Sequence, residues 1–564
     1  MSQTARTAQA GRFLTNHVGP GDVFTREDLT AEQKLFGQTA AEFMRREVMP
    51  NAPRLYDHDW LLTRDLLRKA GELDLLRLEI PEVYGGLGLD KASCAYVFEQ
   101  IGMNPSFGGS IGAHTGIGTL PLLYFGTAEQ KARYLPRLAS GELIGAYALT
   151  EPGSGSDALA ARTTAVLSPD GAHYVLNGRK MWITNGVFAD LFSVFAKIDG
   201  TKFTGFLVER GMGVVSGPNE AKLGLDGSAT CELILDDVKV PIANVLGTIG
   251  NGHKVAFNTL NLGRVKLGSR NMAAAKASLA NAAHYARDRR QFGKPIGEFG
   301  MIKHKLAEMA IRIFVCDSMV YRTLGDVDRA LATVDPADGD EVLATIEQFA
   351  VECSINKVAS SEILAYVVDE ALQVYGGNGY SREFPAERPY RDARVTRIYE
   401  GTNEINRMII PARILKQGVP AEPAAGGLGD RAVLASAKRL TVALLAGVAE
   451  VYGERARDEQ QILAHIADPI IDGYAIESAL ARTEKLAARA PDAAQLAADM
   501  TSVFVADAVA RIVHAARQVA NALGDRGAQI RDRIAPLAAH PGVDSVAARR
   551  RIADAVLKAG GHPC

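Results

Sequence analysis

At 564 residues the chain is too long for one hydrophobic core, so several domains or subdomains are expected. Hydrophobic residues at 47% and charged residues at 23% are ordinary for a globular protein and argue against long disorder; a formal net charge of -2 with no basic stripe gives no reason to expect nucleic acid as a partner. The five cysteines, Cys94, Cys231, Cys316, Cys353 and Cys564, lie far apart without a C-x-x-C pair, which fits free thiols in a reducing compartment and offers neither a disulfide framework nor a zinc or other metal site.

The N-terminus carries Ser2, Thr4, Arg6, Thr7 and Arg12 and no acid before Asp22. It reads equally as a mitochondrial transit peptide or a disordered tail, and no secretory signal is present. From Thr25 to residue 146 the texture is helical, interrupted by the turn-rich Pro81–Gly86. Within it Gly108-Gly109-Ser110-Ile111-Gly112, with His114 nearby, matches G-x-S-x-G. A hydrolase elbow needs a strand before the serine inside an alternating α/β chain, and that context is missing. Small residues for close packing or a cavity wall are the better reading.

From 147 to 262 short alternating runs predict a small β domain. Gly153-Ser154-Gly155-Ser156-Asp157-Ala158 satisfies G-x-G-x-x-A, but Pro152 stands where a strand should end and no crossover helix follows, so the dinucleotide fold is rejected. The Gly-Ser backbone still suits an anion such as pyrophosphate. His173–Leu176 and Arg179–Ile183 flank Asn177-Gly178, which predicts a hairpin with a type I′ turn. Phe203–Val208 and Cys231–Leu235 are predicted strands. Met181–Gly186 holds one of two tryptophans, and simple in-out alternation on a strand would explain it alone.

Helical spacing returns from 263 to 416. Ile302, Leu306, Met309, Ile313, Cys316, Val320 and Leu324 fall on one face, and a second long helix is predicted over Asp340–Tyr375, stopped by Gly376-Gly377. Two such helices suggest an antiparallel bundle. Tyr399-Glu400-Gly401-Thr402-Asn403-Glu404 follows Arg391-Asp392; by composition Glu400 is a loop carboxylate and Arg391-Asp392 an ordinary ion pair. Residues 417–429 read as a Pro/Gly/Ala linker, and 430–558 as an additional all-α domain. Its most apolar stretch, Leu440–Ala449, falls short of the ~18 residues of a membrane span and reads as a core helix. Arg431, Lys438, Arg439, Arg455 and Arg457 flank apolar helix, which is compatible with dimerisation or with peripheral membrane contact, while a solvated helix face is the plainer reading of any one of these charges.

Taken in order, Leu149–Asp157, Lys180–Gly186, Asp288–Gly293, Gln373–Tyr380, Arg391-Asp392 and Tyr399–Thr402 resemble the acyl-CoA dehydrogenase family over roughly residues 25–416. The very-long-chain branch is the most similar: it shares an extra C-terminal helical domain, a Gly-rich segment like Phe107–His114 and a stretch like Leu260–Arg264. The fold expected is mixed and mainly α, with an N-terminal helical domain (25–146), a middle β-barrel or β-sandwich (147–262), a C-terminal four-helix bundle (263–416) and the additional all-α domain (430–558).

The resemblance implies FAD as cofactor, contacted by Tyr147, Leu149, Thr150, Gly155, Ser156, Trp182 and Thr184, with Thr184 near the flavin N5. Arg289, Gln291, Phe292, Gln373, Gly376 and Gly377 would reach the FAD of a neighbouring subunit, and Thr402 and Glu404 would lie by its adenosine-pyrophosphate half. Gly108, Gly112, Ser156, Asn261, Arg264, Tyr399 and Gly401 would meet substrate. Some relatives take their base from the position matching Gly263, so the base here would be Glu400. It would remove the α-proton of a long-chain acyl-CoA while the β-hydride passes to the flavin, giving a trans-2-enoyl-CoA, the first step of fatty acid β-oxidation. A carboxylate of ordinary pKa ~4.3 is a weak base, and burial against an acyl chain would raise that value. Its backbone N–H and a ribityl hydroxyl would hold the thioester oxygen.

Gly108 and Gly112 are expected at the floor of a deep acyl channel, so Gly112→Gln should shorten the preferred chain. Further implied partners are electron-transferring flavoprotein and a second copy of the chain in a homodimer. The compartment expected is bacterial cytoplasm, or the mitochondrial matrix or inner-membrane surface if eukaryotic. An acyl-CoA oxidase, or a non-catalytic scaffold on the same fold, are the alternatives.

Overall fold

The computed structural model describes residues 11–336 and 338–564, so the Ser2–Thr7 part of the N-terminal reading lies outside the described residues. Contacts gather the chain into two units: a first comprising Met1–Asp28, Ala274–Arg329 and Gln348–Cys564, and a second comprising Leu29–Ala273 and Ala330–Glu347.

The second unit begins with helices whose starts are written in the sequence. Thr30 and Gln33 form a capping box ahead of Ala31–Phe43, and Thr127 and Gln130 another ahead of Ala128–Ala139. Between them run Trp60–Glu72, Lys91–Ile101 and Pro105–Ala113. The Gly108–Gly112 stretch is therefore helical, as packing residues would be and a hydrolase elbow would not. The strands are β1 (Gly145–Ala148), β2 (Thr164–Leu167), β3 (His173–Thr184), β4 (Leu191–Ile198), β5 (Lys202–Glu209), β6 (Val215–Asn219), β7 (Thr230–Pro241) and β8 (Val245–Leu246). They form one sheet in the order β6-β7-β3-β2-β4-β5-β8, with β1 parallel to β4. Phe43, Phe98 and Phe107 of the helices share a core with Phe192, Val194, Phe206 and Leu233 of the sheet, so one apolar interior crosses the expected 146/147 boundary.

The hairpin expected at Asn177-Gly178 is corrected. His173–Thr184 is a single strand, and Asn177-Gly178 marks a bulge in its pairing with β7. Two tertiary contacts override the local turn signal. The Asn177 amide donates to Asp237 Oδ1 (3.0 Å) while its oxygen accepts from the Asp237 backbone N–H (2.9 Å). A side chain at position 178 would meet Thr163, whose Oγ1 would lie 2.4 Å from the added Cβ.

An ionic cluster is buried in this unit. Glu79 pairs with Lys91 at 2.9 Å and with Lys266, and Lys91 also donates to Tyr124 Oη (3.0 Å). Leu76, Leu78, Ile80, Phe98, Leu120 and Leu123 line a small cavity beside the Glu79 carboxylate.

The first unit is helical. Gly300–Leu331 carries the predicted face, with Leu306, Met309, Ile313, Cys316, Val320 and Leu324 all buried. The helix expected over Asp340–Tyr375 is two helices broken at Phe349: Gly339–Gln348, which belongs to the second unit up to Glu347, and Ala350–Tyr375 in the first. Beyond the irregular 418–428, the helices Asp430–Tyr452, Gln460–Arg489, Pro491–Ala522, Gly524–Ala538 and Ser545–Ala559 pack on one another. Asp430–Tyr452 lies in a segment that is long and apolar enough to cross a membrane, with mean hydropathy 1.6, but 67% of that window is buried within the protein, as in a core helix.

From Gly11 onward the N-terminal segment is not a loose tail. Phe13 and Leu14 are buried, Phe13 packs edge-on to Tyr474, and Lys438 donates to the Asn16 carbonyl (2.7 Å). Arg482 pairs with Glu27 at 2.7 Å, and Lys485 donates to the Val23 carbonyl at 2.6 Å.

Candidate active site

In the second unit one loop gathers four of the candidate cofactor residues, Leu149, Thr150, Gly155 and Ser156. Leu149 and Thr150 leave β1, and Glu151 and Ser154 close a tight bridged turn that exposes Gly155 and Ser156. The turn is fixed from beneath. Glu151 accepts from the backbone N–H groups of Arg162 (2.5 Å) and Thr163 (3.1 Å), from Thr163 Oγ1 (2.5 Å) and from Lys180 Nζ (2.7 Å). Burial works to raise the Glu151 carboxyl, but the Lys180 ammonium and these donors outweigh it and hold it below the usual carboxylate range. The buried Lys180 is pushed down by desolvation, against the pull of Glu151. Side chains added at Gly153 or Gly155 would meet nothing within 4 Å, so the turn presents bare backbone outward.

β3 brings the second part of the set beside this loop. The Met181 N–H donates to the Thr150 carbonyl (2.8 Å), which sets Trp182 next to the loop, with Thr184 two residues further along β3. Trp182 sits where the register of β3 against β7 shifts between Lys180 and Ile183. Its backbone is left-handed (φ 61) and the residue is 55% exposed. A bulge that re-aims one side chain is a common way to present a flat aromatic surface to a ligand. Tyr147 and Leu149 are buried at the β1 end, where Tyr147 Oη donates to the Ala256 carbonyl (3.3 Å).

Apart from Ser156 in the loop, the candidate substrate residues of this unit lie on two helices. Asn185, just past Thr184, donates to the Ser110 carbonyl (2.8 Å) and so ties the Gly108–Gly112 helix to the end of β3. Asn261 and Arg264, on Gly252–Asp288, are buried and bonded to each other (Nη1 to Oδ1, 3.0 Å). The expected glycine floor is not bare. Arg270 of that helix donates from Nη1 to the Gly108 carbonyl at 2.9 Å, and a Cβ on Gly112 would fall 2.5 Å from the same nitrogen.

In the first unit the remaining candidates form two groups. Arg289, Gln291 and Phe292 start the short hairpin Arg290-Gln291/Lys294-Pro295, and Phe292 is 93% exposed. Tyr285 stacks on Tyr375 at 4.1 Å and its hydroxyl accepts from Asn378 Nδ2 (2.9 Å), which brings the exposed Gln373, Gly376 and Gly377 to the same end as Arg289.

The second group is the turn before Asn403–Gln417. Thr402 caps that helix by accepting from the Ile405 N–H (3.2 Å), and Asn406 donates to the carbonyls of Gly401 and Thr402. Lys357 donates to Asn403 Oδ1 at 2.6 Å beneath the turn. Ahead of the cap, Glu400 (φ 58) and Gly401 (φ 80) are both left-handed, which reverses the chain after Tyr399. Glu404, in the first helical turn, is held below the usual carboxylate range mainly by backbone and Thr402 hydrogen bonds. Arg391 pairs with Glu387 one turn earlier at 2.6 Å, a partner the Arg391-Asp392 reading did not include.

Sequence reasoning did not find Glu151, Lys180, Asn185 or Arg270. Lys180 has a weak signal, an inward position on an alternating strand. Arg270 has none, because its neighbours are 158 and 162 positions away.

Comparison with known proteins adds four ordered matches. Family patterns described as the acyl-CoA dehydrogenase N-terminal, middle and C-terminal domains match residues 30–142, 146–238 and 250–415, and a further acyl-CoA dehydrogenase C-terminal domain matches 436–533. A Bacillus subtilis (strain 168) protein named "Probable acyl-CoA dehydrogenase" is 44% identical over 533 residues, 90% of each chain. The human mitochondrial very long-chain specific acyl-CoA dehydrogenase is 39% identical over 411 residues, 71% of this chain and 60% of its own length. Among solved structures, an acyl-CoA dehydrogenase complexed with FAD from Bacillus anthracis superposes with a TM-score of 0.95 at 41% identity, covering 98% of this chain and 99% of that one.

Proposed function

The chain belongs to the acyl-CoA dehydrogenase family, and we propose that it uses FAD to oxidise long-chain acyl-CoA thioesters to trans-2-enoyl-CoA, with Glu400 as the base. FAD supplies the acceptor for the β-hydride when bound. The residues present fit that group: a turn of bare Gly-Ser backbone suits a pyrophosphate, and the outward Trp182 beside Thr150 and Thr184 suits a flat ring system.

The observation that carries the base assignment is the backbone of Glu400. A glutamate held at φ 58 is strained, and such strain persists where the surrounding structure imposes it. Here the capped helix start, Asn406 and Lys357 fix the turn. Glu400 takes the α-proton, and its own N–H is the donor that would meet the thioester oxygen as negative charge develops there. Gly108 and Gly112 support long chains because neither puts a side chain of its own into the acyl wall, where Arg270 meets the Gly108 carbonyl.

The anaerobic visible spectrum of the FAD-loaded protein with palmitoyl-CoA tests this reading. Bleaching of the wild type, and none with Glu400→Gln that retains FAD, is the expected result. Equal bleaching in both would remove Glu400 from the role, and slow oxygen reaction of the reduced protein would set aside an oxidase. Electron-transferring flavoprotein as acceptor, a homodimer and a cytoplasmic or matrix location belong to the same proposal. The exposure of Arg289, Phe292, Gln373 and Gly377 supports a second copy of the chain as neighbour. Peripheral membrane contact through 430–558 is tested by liposome binding with and without that segment; equal binding ends it.

A further inference from the structure

The two glycines of the acyl wall leave a gap, and a cation from a distant part of the sequence fills it. Gly102 lies so close to Gly252–Asp288 that a Cβ there would come within 2.5 Å of the Ala273 Cβ. This contact draws the last turns of the second unit's share of that helix against the Gly108–Gly112 segment. Arg270, one turn before Ala273, then reaches across: Nη1 donates to the Gly108 carbonyl at 2.9 Å and stands 2.5 Å from where a Gly112 Cβ would be. A side chain at 112 would force this guanidinium to shift from its place.

The Arg270 head group is half-buried and forms no ion pair among the described residues. One of its five N–H donors is used, on a neutral carbonyl. An arginine with a structural task would be expected to have a carboxylate partner. This one places its charge against the Gly108–Gly112 wall, and an alkyl chain reaching it must either stop or displace a charged side chain that is costly to desolvate.

We propose that Arg270 is a specificity-determining residue, whose guanidinium rather than the bare glycines forms the end of the acyl site and limits how long an alkyl chain can be. The inference rests on the reading of Gly108 and Gly112 as acyl wall. It reverses the simple reading of the glycines: their small size accommodates Arg270 first and substrate only beyond it.

The test is a kcat/KM series of straight saturated acyl-CoA substrates from eight to twenty-two carbons on the FAD-loaded enzyme, for wild type, Arg270→Ala, Arg270→Lys and Gly112→Gln. The ratio of long to short chains within each variant does not depend on how much protein is folded or loaded, so a merely structural role would leave it unmoved. Arg270→Ala should move the optimum to longer chains and raise that ratio roughly ten-fold, the scale of one or two added methylene contacts. Arg270→Lys, which keeps the charge and most of the packing, should move it less in the same direction, and supplies the reading if the alanine variant fails to fold. If both arginine variants keep the wild-type profile while Gly112→Gln shortens it, the wall reading stands and the role of Arg270 is overturned. If all three keep the wild-type profile, the wall reading fails and the inference with it.

Discussion

Replacing Glu79 with glutamine should destabilise the protein out of proportion to the one atom changed. Glu79 lies between Lys91 and Lys266 with its side chain 6% exposed. Burial alone would raise its carboxyl, but the two ammonium groups, Lys266 foremost, more than reverse this and hold it at about 2. From the ordinary 4.5 to about 2, at about 1.4 kcal/mol per pH unit, the interaction is worth about 3 kcal/mol. Because the folded value is depressed, that stability is fully present above pH 4.5 and is lost as the pH falls towards 2. Glu79→Gln removes it at every pH and leaves two ammonium groups beside Phe98 and Leu76 without their carboxylate, a change that costs about 3–5 kcal/mol in comparable buried pairs. Differential scanning fluorimetry at pH 7 should show Tm lower by roughly 6–15 °C for a unit of this size. The gap to wild type should narrow between pH 5 and pH 3. A drop of less than about 2 °C at pH 7, with no narrowing, would refute the reasoning and mean that water already screens the cluster.

Lys180→Met should leave Glu151 buried without its ammonium partner and loosen the Thr150–Ser156 turn. FAD release measured by absorbance titration should be roughly ten-fold easier, and an unchanged affinity would dissociate that pair from the cofactor site. His114 is buried and pushed to about 4 by desolvation, with Nδ1 accepting from the Gly145 N–H and Nε2 facing the Leu138 carbonyl. A depressed histidine binds protons more readily when unfolded, so it withdraws up to about 3 kcal/mol of stability as the pH falls from 6.5 towards 4. His114→Gln, able to make both hydrogen bonds without titrating, should flatten that part of a Tm-against-pH curve, and an identical slope would exonerate the histidine. Gly178→Ala should lower Tm by several degrees through its collision with Thr163; an alanine variant as stable as wild type would show that the β3 bulge relaxes freely.

What was legible in the sequence was local. The buried face of Gly300–Leu331 follows from spacing alone. Asn177-Gly178 misled for the same reason: its turn signal is local, while the Asp237 and Thr163 contacts that override it arrive from other strands. At the site, resemblance named Glu400, Trp182 and Gly112 but was silent on what surrounds them. The Glu151–Lys180 pair joins the turn after β1 to β3, and Arg270 meets Gly112 across the fold, so neither leaves a mark at short sequence distance. The N-terminal segment shows the same limit, since nothing near Phe13 foretells Tyr474 as its partner.

The left-handed turn at Glu400 and Gly401 has a consequence for how such chains diverge. Glutamate in that conformation costs about 1–2 kcal/mol relative to an unstrained residue, and glycine would hold the turn with no such penalty. Stability and turnover therefore pull position 400 in opposite directions. In a descendant freed from selection for the reaction, glycine or asparagine should spread there early, as a change that improves folding and costs nothing still needed. The residue at 400 would then distinguish working descendants from idle ones well before the rest of the scaffold had drifted.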